Sequence, residues 1–128
     1  MRLFLDTSVL ISASRGRNDS ALRLFFRSKA ELVTNEYAIK EFRRVMLSNF
    51  GLPHGNVEEA ILRIRNRCLV LPSPPAEKYH EIAIRDKSDI PIVLGALQAG
   101  CILVIDDEIT CRDAKKYLKT LKSEEVPL

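Results

Sequence analysis

Short, almost purely apolar runs separated by stretches of helical periodicity are the feature that most constrains the fold of this chain. The runs lie at 2–5, 31–33, 68–71 and 101–105. In a sheet with one face in water, apolar and polar residues would alternate, so continuous apolar runs indicate strands buried on both faces. Strands of this kind that alternate with helices form parallel sheets. The expected fold is therefore α/β, a three-layer α/β/α arrangement around a central, mostly parallel sheet.

Helical periodicity and capping residues predict helices between these strands. A loop is expected after the first strand, and it ends at Ser20, which is typical of an N-cap. The expected helices run from Ser20 past Phe26, from 35 to 49, from 57 to 66, from 76 to 84, from about 89 to 99, and from 110 to 121. The Pro-rich stretch at 72–75 is too short to be a linker, so residues 1–128 are expected to form a single domain.

Composition excludes several classes of protein. With 46% hydrophobic residues, the chain is too apolar to remain disordered, and no run reaches the roughly 18 uncharged apolar residues that span a membrane. Three cysteines without a C-x-x-C pair indicate reduced thiols and a cytoplasmic protein. No glycine-rich loop joins a strand to a helix, which excludes P-loop and dinucleotide-binding enzymes. An aromatic content of 6% argues against a platform on which single-stranded bases stack.

Acidic residues follow two of the predicted strands and lie near the start of two helices. Asp6 closes the first strand, Asp106 and Asp107 follow the last apolar run, and Asp89 opens a helix. The carboxyl ends of parallel strands and the N-termini of the helices that follow them lie at the same edge of the sheet. These acids and Glu41 are therefore expected to converge at that edge. Taken singly, each also has a structural explanation, with Asp89 as a helix cap, Asp6 as a turn residue and Glu41 as a solvated helix acid.

Several carboxylates in one place require a neutralising partner. At about 4 Å, two of them repel each other by roughly 4 kcal/mol at an effective dielectric constant near 20. Either their pKa values rise or a cation binds between them. Oxygen ligands of this kind suit Mg²⁺ or Mn²⁺. The chemistry that they indicate is metal-assisted hydrolysis of phosphodiester bonds.

Four motifs, in order along essentially the whole chain, resemble those of PIN domains. Residues 5–10, Leu-Asp-Thr-Ser-Val-Leu, are similar to the opening D-T-[NS]-x-L, and Glu41 is similar to the helix glutamate of the family. Residues 86–92 and the alanine-containing stretch at 96–100 resemble a D-x-x-D motif that leads into a helix. Residues 103–107 resemble the fourth motif, L-V-[TS]-G-D.

The resemblance implies a ribonuclease that depends on Mg²⁺ or Mn²⁺, often the toxin of a VapC-like toxin–antitoxin pair. It implies RNA as substrate, an antitoxin protein as partner and, commonly, a homodimer. By position, the catalytic and metal-binding residues would be Asp6, Glu41, Asp89 and Asp107. Ser8 would be a hydroxyl that orients a carboxylate, and Asp86, the first acid of the D-x-x-D motif, is a further candidate ligand.

Two departures from the family pattern leave alternatives open. Where the family has a hydroxyl residue and glycine before its fourth acid, this chain has Ile105 and Asp106. The fourth ligand is therefore Asp106 or Asp107, and the motif register favours Asp107. The family often has another acid two residues later, where this chain has Ile109. The alternative to a nuclease is thus a catalytically silent PIN-like module that binds RNA or a protein.

Basic residues lie close in sequence to each acidic motif. Their pattern suits the binding of a phosphate backbone around a metal centre, although helix surfaces of soluble proteins carry similar charges. The candidate RNA-binding residues are Arg15, Arg17, Lys40, Arg43, Arg44, Lys87 and Arg112.

Overall fold

The computed structural model describes residues 1–127 and contains a five-stranded sheet in which every neighbouring pair of strands is parallel. The strands are β1 (Arg2–Leu5), β2 (Glu31–Asn35), β3 (Leu69–Leu71), β4 (Ile102–Val104) and β5 (Thr120–Leu121), in the order β3-β2-β1-β4-β5. Consecutive residues of β1 are fully buried, so both faces of the sheet are covered. The predicted α/β fold is confirmed.

Six α-helices connect and cover the strands over the described residues. They are α1 (Thr7–Arg15), α2 (Asp19–Arg27), α3 (Glu36–Ser48), α4 (His54–Arg67), α5 (Ile90–Gln98) and α6 (Glu108–Ala114). Short 3₁₀ turns lie at Ala76–Glu81, Lys87–Asp89 and Ser123–Glu125. No helix within residues 1–127 is both long and apolar enough to cross a membrane.

The strand order creates a switch point beside the central strand. From β1 the chain builds outward through β2 and β3 on one side, and it then returns to add β4 and β5 on the other. In sheets of this topology, the crevice outside the carboxyl ends of the strands at the switch point is where ligands bind. Asp6 follows β1 directly, and Asp106 follows β4 after a single residue, Ile105. The fold therefore directs acidic residues to this crevice.

Three local expectations were wrong. The loop expected before Ser20 is instead helix α1, which starts directly after β1 because the Asp6 side chain caps it by accepting from Val9 N. The helix expected over 110–121 ends at Ala114, and strand β5 follows because the edge of β4 offers it backbone partners. The expected helix over 76–84 is a 3₁₀ turn that ends at Glu81.

Helix α5 is the most deeply buried helix, and its glycine permits a close approach to the sheet. A Cβ atom on Gly95 would lie 2.6 Å from Asn35 Nδ2 and 3.3 Å from Phe4 Cζ. The Asn35 amide is already engaged, since it accepts from Ala38 N at 3.0 Å as the cap of α3 and donates to the Pro91 carbonyl at 3.2 Å. The amide therefore has no free direction in which to move.

We expect Gly95→Ala to lower the free energy of unfolding by about 1–3 kcal/mol, the usual cost of overpacking a core. Urea denaturation followed by circular dichroism measures the loss. Gly55→Ala is the matched control, because Gly55 is also helical and a Cβ there meets nothing within 4 Å. That variant should be neutral or slightly stabilising, and equal losses in both variants would contradict the role assigned to Gly95.

Candidate active site

Asp6 has two roles at the carboxyl end of β1. Its side chain is 5% exposed, and its Oδ1 accepts from Val9 N at 3.0 Å, which caps α1. Ser8 Oγ lies 2.9 Å from Oδ2 and donates to the same carboxylate. Burial, together with the negative charges of Asp89 and Asp106, raises the pKa of Asp6 to about 7 despite the opposing effect of these hydrogen bonds. The site thus holds a carboxylate whose charge is poorly solvated.

Asp89 lies at the end of the Lys87–Asp89 turn and immediately before α5. Its side chain makes no capping hydrogen bond to that helix and instead accepts from Thr110 Oγ1 at 2.8 Å. Burial raises the pKa of Asp89 to about 6, and the charges of Asp86, Glu41 and Asp107 contribute in the same direction. The orientation of the Asp89 carboxylate is therefore fixed by Thr110 and not by helix capping.

Glu41 approaches the same edge from the second turn of α3. Its Oε1 accepts from Thr7 Oγ1 at 2.8 Å, and Thr7 follows Asp6 directly in the chain. This hydrogen bond joins α3 to the start of α1. The charge of Glu41 acts on the pKa of Asp89, so the two acids are electrostatic neighbours.

Asp106 and Asp107 have different partners. Both oxygens of Asp106 are engaged by Ser123, whose backbone N donates at 2.7 Å and whose Oγ donates at 2.9 Å. Asp107 caps α6 through one oxygen, which accepts from Thr110 N at 2.9 Å, and within residues 1–127 its Oδ1 accepts no hydrogen bond. This arrangement supports Asp107 rather than Asp106 as the acid that remains free to bind a ligand.

We refer to Asp6, Glu41, Asp89 and Asp107 as the acidic site. In the described part of the chain, none of the four forms a salt bridge with a lysine or arginine, whereas Glu36, Glu58, Glu108 and Asp113 do. Hydroxyl groups take the place of cations, and each of Thr7, Ser8 and Thr110 donates to a different carboxylate. Sequence reasoning missed Thr7 and Thr110. The spacing Asp107-x-x-Thr110 is that of a helix cap and its N3 residue, which was the available signal.

The donor set of the acidic site fits a hard divalent cation. All four donors are carboxylates, and one oxygen each of Glu41, Asp89 and Asp107 accepts no hydrogen bond among residues 1–127. Within residues 1–127, no group of three or more histidine, cysteine, aspartate or glutamate side chains is placed so that it could hold a metal ion. Mg²⁺ often binds through only one or two carboxylates and keeps several waters. The chemistry of the donors therefore fits Mg²⁺ or Mn²⁺ held partly through water.

Asp86, the further candidate ligand, has a local structural role. Its Oδ1 accepts from Ser88 N at 3.0 Å and from Ser88 Oγ at 2.6 Å, which caps the Lys87–Asp89 turn. The side chain is exposed, and its charge contributes to the raised pKa of Asp89.

The candidate RNA-binding residues fall into three groups. Lys40, Arg44 and Lys87 line grooves beside the acidic site. Arg43 is held by Glu58 through two hydrogen bonds. Arg112 lies on the exposed surface of α6. Arg15 and Arg17 lie at the C-terminal end of α1, opposite the end that Asp6 caps. There the Arg15 guanidinium stacks 3.7 Å from the centroid of the Phe50 ring.

Comparison with known proteins assigns the fold. The PIN domain family profile matches residues 3–116. Similar solved structures include VapBC2 of Rickettsia felis bound to a promoter DNA fragment, with TM-score 0.75, 13% identity, and coverage of 95% of this chain and 98% of that chain. VapBC-1 of nontypeable Haemophilus influenzae has TM-score 0.65, 19% identity, and coverage of 98% and 100%. VapC20 of Mycobacterium tuberculosis, described as a sarcin–ricin loop cleaving toxin, has TM-score 0.66, 14% identity, and coverage of 86% and 94%. Comparison with curated proteins finds no match.

We expect Asp6→Asn to raise the melting temperature in buffer containing EDTA by about 3 °C or more, which corresponds to roughly 1 kcal/mol for a chain of this size. Asparagine keeps the oxygen that caps α1 but removes a buried negative charge that lies near other acids. Thermal unfolding followed by circular dichroism measures the change.

Asp6→Ala is the informative companion variant, because it removes both the charge and the cap. It should be less stable than Asp6→Asn by about 1 kcal/mol, the usual value of a helix cap. A melting temperature of Asp6→Asn below that of the wild type would show that the Asp6 charge is stabilised by its surroundings.

Proposed function

Because this chain belongs to the PIN domain family, we propose that it is a divalent-metal-dependent endoribonuclease whose reaction takes place at the acidic site. The proposal is supported by the electrostatic coupling of Asp89 to Asp6, Glu41 and Asp107. Within residues 1–127, no lysine or arginine forms a salt bridge to any of the four. RNA as the substrate class is supported by the similarity in fold to VapC20, which cleaves the sarcin–ricin loop.

In the proposed reaction, a water molecule gives up a proton, its oxygen forms a bond to phosphorus, one phosphorus–oxygen ester bond breaks, and the leaving oxygen takes up a proton. Mg²⁺ or Mn²⁺, bound by the acidic site, would supply positive charge against the phosphate and lower the pKa of a bound water. Ser8, Thr7 and Thr110 would fix the orientation of Asp6, Glu41 and Asp89, respectively. Thr110 would also hold Asp107 through its backbone N–H, so that one residue positions two carboxylates.

A protein partner is part of the proposal. Several solved structures of similar fold are complexes, among them VapBC2 and VapBC-1, and this supports an antitoxin-like partner here. Phe26, which is 61% exposed, borders a small apolar groove between α1, α2 and α4 that such a partner would cover. The homodimer implied by the family resemblance stays a prediction.

The catalytically silent alternative is favoured by two features of the fourth motif. Ile109 is 47% exposed and offers no ligand, and Asp106 is occupied by Ser123. The alternative predicts RNA binding without cleavage. Binding of RNA without cleavage in the presence of Mg²⁺ or Mn²⁺ would therefore indicate the silent module.

We expect Asp89→Asn to lower the rate of RNA cleavage about 100-fold or more. Loss of one charged ligand removes several kcal/mol of transition-state stabilisation, and each 1.36 kcal/mol corresponds to a factor of ten. Cleavage of a fluorogenic RNA with Mg²⁺ or Mn²⁺, repeated with EDTA, measures the effect. Glu59→Gln is the control, since Glu59 is an exposed acid that pairs with Arg63 on α4. Cleavage that persists in EDTA or in Asp89→Asn would refute the proposal.

We expect Thr110→Val to weaken Mn²⁺ binding about 10- to 100-fold, which is the usual effect of losing a residue that orients a metal ligand. Valine removes the hydroxyl that donates to Asp89 but keeps the shape of this fully buried side chain. Isothermal titration with Mn²⁺ measures the affinity, and the melting temperature reports on folding. Thr110→Ser should restore the affinity, because it restores the donor; weak binding in both variants would mean that packing, rather than the hydroxyl, matters.

A further inference from the structure

Asp89 ends a stretch of five residues in which no side chain is buried. Ile84 and Ile90 on either side of this stretch belong to the core, but residues 85–88 are exposed and Asp89 is half-buried. The stretch ends in the short 3₁₀ turn at Lys87–Asp89, and hydrogen bonds in turns of this kind have poor geometry. The position of the Asp89 carboxylate therefore depends on polar contacts that other elements make with residues 85–89.

Asp113 on α6 holds the beginning of this stretch. Its Oδ2 accepts from Arg85 N at 3.1 Å and from Arg85 Nε at 3.0 Å, and its Oδ1 accepts from Arg85 Nη2 at 2.6 Å. One carboxylate thus binds both the backbone and the guanidinium of the same residue. Fully exposed ion pairs contribute little to stability, but the Asp113 side chain is only 15% exposed. Tyr117, just beyond α6, extends the contact, because its hydroxyl accepts from Ala83 N at 2.7 Å.

Tyr37 on α3 holds the other end of the stretch. Its hydroxyl donates to the carbonyl of Ser88 at 3.0 Å, directly before Asp89 in the chain. Tyr37 lies four residues before Glu41, so the two side chains share one face of α3, and both border the same groove as Ser88. The hydrogen bond therefore ties the turn that carries Asp89 to the helix face that carries Glu41.

Thr110 and Asp113 share one face of α6 in the same way, because they are three residues apart. Thr110 donates to the Asp89 carboxylate. Asp113 binds Arg85, four residues earlier in the chain than Asp89. The stretch thus runs along α6 in the opposite chain direction and is hydrogen-bonded to that helix at both of its ends.

We propose that Asp113 and Tyr37 are positioning residues for Asp89. They hold residues 85–89 between α6 and α3 and so place the Asp89 carboxylate where it can bind a divalent ion. Neither is a member of the acidic site, and each acts through the chain that leads to Asp89, whereas Thr110 acts on the carboxylate itself. The role of the ion rests on the proposed function, but the ordering of the stretch rests on the hydrogen bonds alone.

Order in residues 85–89 is measured without metal, by ¹⁵N relaxation in EDTA. We expect amide order parameters of about 0.85, typical of rigid backbone, in the wild type, and a fall towards about 0.6 in Asp113→Ala and in Tyr37→Phe. Tyr37→Phe removes only the hydroxyl, and the Asp113 substitution introduces the best helix-forming residue. Both variants should therefore fold, which the melting temperature verifies.

Each variant has a matched control. Tyr79→Phe removes a tyrosine hydroxyl that makes no hydrogen bond within residues 1–127, from the turn at Ala76–Glu81. Glu58→Ala breaks a bidentate pair with Arg43 that joins α4 to α3. Neither control should change the order parameters of residues 85–89.

The consequence for the ion is measured by isothermal titration with Mn²⁺. We expect Asp113→Ala and Tyr37→Phe each to raise the Kd about three- to tenfold, which is less than the usual effect of losing a direct partner of a metal ligand. The controls should stay within about twofold of the wild type. In RNA cleavage, a higher Mn²⁺ concentration should restore the rate of both variants, because the affinity for the ion is impaired rather than the chemistry.

Several outcomes would overturn the proposal. Order parameters that stay unchanged, or that fall equally in the controls, would show that these side chains do not hold the stretch. A fall in one variant alone would show that one side is sufficient. Disorder in both variants with wild-type affinity for Mn²⁺ would show that the stretch does not position Asp89.

The same measurements separate this inference from the proposed function. If the wild type cleaves no RNA with any divalent ion, the nuclease proposal fails, but the order parameters and the Mn²⁺ affinities still decide the role of Asp113 and Tyr37. If the wild type binds no Mn²⁺, the part of the inference that concerns the ion fails with the metal site, and the order parameters still decide the rest. If the wild type cleaves RNA and both variants keep its dependence on Mn²⁺, this inference is wrong and the nuclease proposal stands.

Discussion

The crowding of carboxylates at the carboxyl edge of a parallel sheet is the constraint on which the rest of this structure depends. Strand order places Asp6 and Asp107 after neighbouring strands, and the start of α5 adds Asp89 between them. Burial raises the pKa of Asp6 to about 7 and that of Asp89 to about 6. A fold selected only for stability would place arginines or apolar side chains here, since buried like charges are destabilising. The fold keeps the charges instead.

Hydroxyl groups explain how these charges are retained without being neutralised. A lysine or arginine would have satisfied Asp89 or Glu41, but it would also have cancelled the charge that attracts a divalent ion. Thr7 and Thr110 supply one directed hydrogen bond each and leave the net charge unchanged. They therefore fix the orientation of the carboxylates while keeping the site dependent on an external cation.

The sequence predicted β1 to β4 and α3, because these depend on strong local patterns. It missed α1 because Asp6 was interpreted as a functional acid or a turn residue, although the same side chain caps the helix. It missed β5 because that strand exists only beside β4. The choice between Asp106 and Asp107 depends on Ser123, which is 17 residues further along the chain, and no local pattern contains such a contact.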